Sequence, residues 1–90
     1  MAWTISYTAT ARKQLKKLDR PVARRLVDFM AARVAADSDP RASGKALTGP
    51  VLGSFWRYRV GDYRIICDIQ DQALVVLVLE VGNRKDIYRS

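Results

Sequence analysis

Two stretches of alternating side chains on either side of a Gly-Asp pair constrain the fold of this chain more than any other feature. Residues 55–60 and 63–69 alternate with a period of two and are rich in aromatic and β-branched residues, which is typical of β-strands. Only Gly61 and Asp62 separate them, the pattern of a two-residue β-hairpin turn. The sequence therefore predicts an antiparallel hairpin over residues 55–69.

The two-residue turn determines which residues of the hairpin face each other. Arg59 lies opposite Arg64, and paired residues on neighbouring strands point to the same side of a sheet. One side is mainly apolar and aromatic, and we expect it to pack against helices: Trp56, Tyr58, Val60, Tyr63, Ile65 and Cys67. The opposite side carries Phe55, Arg57, Arg59, Arg64 and Ile66. We call Arg57, Arg59 and Arg64 the arginine face.

The N-terminal part of the chain shows one strand followed by two amphipathic helices. Residues 3–7 alternate as a strand does, and Thr8 can cap the helix that follows. Pro21 favours the first turn of a second helix, which we expect to end near Ala36. The apolar stripes are Ala11, Leu15 and Leu18 in the first helix and Val22, Leu26, Phe29 and Met30 in the second.

The remaining segments complete the prediction of the fold. Residues 37–50 are polar with prolines and glycines, so we expect a loop. Residues 73–81 are almost all apolar, which favours a central strand covered on both faces. The predicted fold is α+β: two N-terminal helices packed on one face of a small, mostly antiparallel β-sheet, in the order β-α-α-β-β-β. At 90 residues we expect one domain spanning residues 1–90.

The charge of the chain narrows the class of its partners. Lys and Arg number 16 against 9 Asp and Glu, a net charge of +7. Such an excess favours nucleic acid or an acidic protein as a partner, and the alternative is a basic surface that is merely solvated. The arginine face points to phosphate, which guanidinium groups hold through paired hydrogen bonds. Alternatively, these arginines are solvated and protect the sheet from aggregation.

Missing residue types exclude several kinds of site. The chain has no histidine and one cysteine, so a Ser-His-Asp or Cys-His arrangement is excluded, and we expect no metal and no cofactor. Cys67 cannot form an internal disulfide and is expected to be a buried core thiol. The N-terminus does not resemble a signal peptide, and no apolar run is long enough to span a bilayer. We therefore expect a cytoplasmic protein that does not enter a membrane.

Three segments of the chain form an ordered set of motifs. They are KALTG at residues 45–49, WRYRVGDYRI at residues 56–65 and VGNRKDIYR at residues 81–89. The middle one resembles the central signature of RelE-type toxins of the RelE/ParE toxin–antitoxin superfamily. The first resembles the Lys-x-Leu-x-Gly segment of that family, and the last resembles its C-terminal Val-Gly-x-Arg…Tyr motif. Together with the order of the predicted elements, the resemblance covers nearly the whole chain.

The resemblance implies the toxin of a type II toxin–antitoxin system, acting as an endoribonuclease that cuts mRNA on the ribosome and inhibits translation. In such toxins the ribose 2′-hydroxyl group attacks the neighbouring phosphate, leaving a cyclic phosphate and a free 5′-hydroxyl group, without a metal. The implied partners are mRNA on the ribosome and a cognate antitoxin protein, with which the toxin forms a hetero-oligomer.

The resemblance also implies roles for individual residues. Arg64 corresponds to the arginine that holds the scissile phosphate, and Arg84 to the C-terminal arginine of the site. Arg57 and Arg59 stand where other members have lysines; because arginine keeps its proton, both would act electrostatically. Tyr88 corresponds to the tyrosine that stacks on a base or helps transfer a proton. The alternative is a structural role, in which Tyr88 packs at the edge of the fold.

Lys45 and Lys85 are implied as RNA-binding residues. The group that removes the 2′-hydroxyl proton is left open between Tyr88, Glu80, Asp86 and ribosomal RNA. Two alternative functions are also left open. One is inhibition of DNA gyrase, as in the ParE branch, without nuclease activity. The other is an RNA-binding or antitoxin-bound module without chemistry.

Overall fold

The fold is built on a mixed β-sheet. The computed structural model of the chain describes residues 3–36, 38–47 and 55–83. Within these residues the sheet has five strands: β1 (Thr4–Tyr7), β2 (Lys45–Ala46), β3 (Phe55–Val60), β4 (Tyr63–Gln70) and β5 (Val75–Asn83). Their order is β1-β5-β4-β3-β2, with β1 parallel to β5 and the other neighbours antiparallel. The predicted α+β architecture with a mostly antiparallel sheet is confirmed.

The first helix, α1 (Ala9–Lys17), begins at the predicted cap and packs along β5. The Oγ1 atom of Thr8 accepts a hydrogen bond from the N–H of Ala11 across 3.1 Å, and its hydroxyl donates to the carbonyl of Leu79 across 3.0 Å. Ala11, the first residue of the predicted apolar stripe, is fully buried. The cap therefore starts the helix and also joins it to the sheet.

The second helix, α2 (Arg20–Phe29), continues into a single π-helical turn, Met30–Val34. The N–H of Ala35 closes that turn on the carbonyl of Met30 across 2.8 Å. The helical segment thus extends almost to Ala36, where the sequence predicted its end. Leu26 and Met30 are buried as the apolar stripe predicted.

The hydrophobic core lies between the two helices and one face of the sheet. The face of β3 and β4 that the register assigned to the helices contributes Tyr58, Val60, Ile65 and Cys67, all buried. The pairing of Arg59 with Arg64 and of Val60 with Tyr63 is also as predicted. Gly61 has φ +59°, in the left-handed region that glycine adopts at little cost, so it allows the tight turn that fixes this register.

Two expectations about the remaining segments were wrong. Residues 37–50 contain more than a loop: a 3₁₀ helix, Pro40–Ser43, and strand β2 lie within them. The side chain of Asp39 accepts from the N–H of Arg41 across 3.0 Å and so caps the 3₁₀ helix, and β2 forms because its backbone pairs with β3. The last strand is not fully covered on both faces, because half-buried residues such as Leu77 alternate with buried ones and Glu80 is exposed.

None of the helices in the described part of the chain has the length and apolar character needed to span a bilayer.

Candidate functional site

The arginine face lies on the side of the sheet turned away from the helices, and strand register places its members side by side. Arg59 of β3 pairs with Arg64 of β4, which in turn pairs with Gly82 of β5. Like charges directly opposite each other on a sheet destabilise it by about 0.2–1 kcal/mol. An anion bound over the pair would offset this repulsion.

A second set of paired residues crosses the same face of the sheet, two residues further from the hairpin turn than Arg59 and Arg64. Lys45 of β2 pairs with Arg57 of β3. Arg57 also pairs with Ile66 of β4, and Ile66 pairs in turn with Glu80 of β5. Lys45 thus joins the arginine face, although the sequence placed it in a loop. The exposed carboxylate of Glu80 lies at the far end of this set, about 10 Å from Arg57 at the usual strand spacing.

Arg64 differs from the other cations of the face because it is buried. Only 4 % of its surface is exposed, whereas Arg59 is exposed and Arg57 is half-buried. Its partner Gly82 has no side chain, and Ile66 next to it on β4 is also buried. A guanidinium group at such a position interacts with an anion through a lower effective dielectric constant than one in open solvent.

The other cations of the face line a pocket of about 260 Å³ at the β2 edge of the sheet. Its lining residues are Ala42, Ser43, Gly44, Lys45, Arg57 and Arg59. Three of the six are cationic and none is acidic, so the pocket favours an anion. The opposite wall is the backbone that enters β2.

The wall of the pocket is held against β3 by close packing and a buried hydrogen bond. The hydroxyl group of Tyr58 donates to the carbonyl of Pro40 across 2.7 Å in the interior. A β-carbon at Gly44 would lie 2.9 Å from both the carbonyl oxygen of Arg57 and Cε1 of Tyr58, so only glycine allows this approach. These contacts set the distance between the wall and the cations.

An ion pair fixes the same wall from its other side. Arg41 donates from Nη2 and Nη1 to the two carboxylate oxygens of Asp71 across 2.6 and 2.9 Å, and its guanidinium lies 5.7 Å from the ring centre of Trp56. The hydrogen bond from Arg41 holds the pKa of Asp71 below its ordinary value. Sequence reasoning missed this pair, because Arg41 and Asp71 are 30 residues apart in separate segments. The one signal in the sequence was Asp39-Pro40, which can start a short helix.

The other predicted residues divide into those that the structure places and those that it does not. Cys67 is fully buried in the core as expected, and burial raises the pKa of its thiol. Arg84, Lys85, Asp86 and Tyr88 lie outside the described residues, so their roles stay predictions. Among the described residues, no group of three or more His, Cys, Asp and Glu side chains is arranged to hold a metal ion.

The chain matches known proteins over most of its length. The family described as ParE toxin of type II toxin-antitoxin system, parDE, matches residues 5–88. Toxin RelG of Mycobacterium tuberculosis is 35% identical over 89 residues, which cover 99% of both chains. In the toxin–antitoxin complex RelBE2 of the same organism, a chain is similar at 30% identity and a TM-score of 0.84, covering 93% of each chain.

A more distant match shows the same fold. A chain of the intact E. coli RelBE toxin–antitoxin complex has a TM-score of 0.71 at 21% identity, over 91% of this chain and 96% of that one. The match of the family over nearly the whole sequence, together with the sheet order and the helices on one face, determines the classification. This chain belongs to the RelE/ParE superfamily and is a RelE-type toxin of a type II toxin–antitoxin system.

Proposed function

We propose that this toxin is a metal-independent endoribonuclease that cuts mRNA on the ribosome and so inhibits translation. The observation that carries the proposal is the pairing of exposed Arg59 with buried Arg64, beside a pocket lined by Lys45 and Arg57. Four cations on one face of a small sheet form a site for a phosphodiester.

The proposed chemistry is transfer of the scissile phosphate to the neighbouring 2′-hydroxyl group. That oxygen attacks phosphorus, the bond to the 5′-oxygen of the next nucleotide breaks, and the products are a cyclic phosphate and a 5′-hydroxyl group. Negative charge on the phosphate oxygens increases in the transition state. Guanidinium groups fixed in advance by strand pairing stabilise that charge without reorganising.

Arg64 is the residue that we assign to the scissile phosphate. It is the most buried cation of the face, and its strand partner Gly82 carries no side chain. Lys45, Arg57 and Arg59 hold the adjacent RNA backbone in the pocket. Arginine does not give up its proton near neutral pH, so none of the three arginines acts as the base.

For the base, the described part of the chain offers Glu80. It lies on the arginine face, diagonally next to Arg64 across the β4–β5 pair. Tyr88 and Asp86 remain candidates from the C-terminal motif, as does ribosomal RNA. A fall in cleavage rate on Glu80→Gln at unchanged mRNA affinity would select Glu80 from this set.

We further propose a cognate antitoxin as the partner that restrains the toxin. The similar chains of known structure occur in complexes described as toxin–antitoxin complexes. A net charge of +7 favours an acidic binding segment on that antitoxin.

The test is to induce the protein in growing cells and map the 5′ ends of mRNAs by primer extension. We expect new 5′ ends inside translated codons, and their loss in Arg64→Ala and in Arg59→Ala. Arg59 is exposed, so its replacement should leave the fold intact even if replacement of buried Arg64 does not. Binding of the antitoxin serves as the control for folding in both variants.

Inhibition of DNA gyrase is the second candidate function, because the family that matches is described as ParE toxin. In that case growth stops and DNA damage responses appear while mRNAs stay intact. Growth that continues with intact mRNAs would instead favour a module that binds RNA or the antitoxin without chemistry.

A further inference from the structure

We propose that Arg25 of α2 extends the RNA-binding surface around the tip of the β3–β4 hairpin. This inference deepens the proposed function and rests on it, because it names where an RNA strand leaves the arginine face. No motif and no sequence pattern assigned Arg25 a role, since it belongs to a helix on the opposite side of the sheet.

The Arg25 side chain reaches from α2 to the turn of the hairpin. Its Nη2 and Nη1 atoms lie 3.7 and 3.9 Å from the point that a β-carbon on Gly61 would occupy. A helix residue therefore places its charge against the hairpin turn. Within the described residues Arg25 takes part in no salt bridge.

Arg25 continues a series of cations that runs along the hairpin. Arg57 and Arg59 are two residues apart on β3, about 6.6 Å along the strand, and Gly61 opens the turn directly after the strand ends at Val60. The Arg25 guanidinium lies beside Gly61, so it is the cation at the turn end of the hairpin. Cations that follow one another along the hairpin suit the successive phosphates of an extended single strand of RNA.

The hairpin turn leaves Arg25 accessible to a ligand. Gly61 and Asp62 are exposed, and glycine adds no side chain between Arg25 and solvent. A strand that crosses the pair of Arg59 and Arg64 and continues past the turn meets Arg25 next. A phosphate there would be repelled by the negative charge of Asp62, and the positive charge of Arg25 offsets this repulsion.

Arg24 provides a matched control on the same helix. It is exposed like Arg25 and carries the same charge, but a helix turns by about 100° per residue, so it points away from the turn. Replacing either residue by Gln removes one positive charge from the surface. A difference between the two variants therefore measures position and not net charge.

The experiment measures the affinity of the purified full chain for two RNAs, a dinucleotide and a hexanucleotide. Both are 2′-O-methylated, so they cannot be cleaved. We expect Arg25→Gln to weaken binding of the hexanucleotide about threefold to tenfold at low salt. The slope of log affinity against log salt concentration should fall in magnitude by about 0.7, as for one lost phosphate contact with a single strand. Binding of the dinucleotide should not change. Arg24→Gln should leave both unchanged, and Arg25→Lys should restore most of the hexanucleotide affinity.

The variant Arg59→Gln separates failure of this inference from failure of the proposed function. If Arg59→Gln weakens both RNAs but Arg25→Gln weakens neither, the RNA does not pass the hairpin tip and the inference is overturned. Equal losses in Arg25→Gln and Arg24→Gln would also overturn it, because net charge would explain them. If neither Arg59→Gln nor Arg25→Gln changes RNA affinity, the proposed function itself fails.

Discussion

The backbone N–H of Val81 donates a hydrogen bond to Oε1 of Gln14 across 2.6 Å, joining the last part of β5 to the middle of α1. The parallel strand β1 ends at Tyr7, opposite Val78, so β5 continues without a strand partner on that side. Side chains of Thr8 and Gln14 replace the missing strand by binding the carbonyl of Leu79 and the N–H of Val81. The next residue of β5 is the glycine that pairs with Arg64.

Replacing Gln14 by Leu should therefore destabilise the protein. The N–H of Val81 would lose its acceptor in a partly buried position, which costs about 1–3 kcal/mol. Chemical denaturation of the purified protein measures the change, and Lys13→Leu, on the exposed side of the same helix, is the control. Equal stability of the Gln14→Leu variant and the wild type would show that solvent replaces this contact.

Replacing Gly44 by Ala should disturb the pocket. The added β-carbon would lie 2.9 Å from the backbone oxygen of Arg57, which cannot move without shifting β3. Overpacking of this kind costs about 1–3 kcal/mol. Thermal unfolding and RNA affinity should both fall, whereas Ser43→Ala, in the same wall but exposed, should change neither. A Gly44→Ala protein with normal stability and RNA affinity would contradict the close approach.

The pair of Arg41 and Asp71 predicts a dependence of stability on pH. The pKa of Asp71 is lowered by its hydrogen bond from Arg41, so the native state favours the ionised carboxylate. The contribution is fully present above the unfolded pKa of about 3.9 and is lost as the pH falls through the lower folded pKa. Both side chains are partly exposed, so the effect is small.

The measurement for this pair compares wild type with Asp71→Asn in denaturant at several pH values. The wild type should be the more stable at neutral pH, and the difference should disappear in strong acid. A difference that stays constant down to the lowest pH would mean that the carboxylate charge is not the cause.

Cys67 should react with thiol reagents only after the protein unfolds. Its side chain is fully buried between the helices and the sheet, and burial raises the pKa of the thiol, so little thiolate is available. The rate of labelling by an aromatic disulfide reagent should be close to zero in native protein and rise with denaturant along the unfolding curve. Rapid labelling of the native protein would contradict the packing of this core.

Much of the site could be predicted because local rules fix it. The Gly61-Asp62 turn determines the register, and the register alone brings Arg59 and Arg64 together. The apolar stripes of the helices likewise predicted residues that pack in the core, although only Ala11, Leu26 and Met30 of them are fully buried and the others are half-buried. Such features depend on neighbours in the sequence, and the pattern of side chains is enough to reveal them.

Other parts of the site depend on contacts between distant residues. Strand β2 is two residues long, and it exists because Lys45 pairs with Arg57, which no local pattern in a polar, proline-containing segment indicates. The burial of Arg64 and the approach of Arg25 to Gly61 are also tertiary. The sequence showed Lys45 and Arg25 to be basic, but not that strand pairing and helix packing bring them to the hairpin.

The most direct test of the proposed chemistry is cleavage of a defined mRNA on programmed ribosomes by purified wild type and Arg64→Gln, with analysis of the product ends. We predict a cyclic phosphate and a 5′-hydroxyl end from the wild type, and a rate about 10²–10³ lower for Arg64→Gln, the usual effect of removing one group that stabilises transition-state charge. The antitoxin should bind both proteins. Cleavage by a folded Arg64→Gln protein at the wild-type rate would contradict the account.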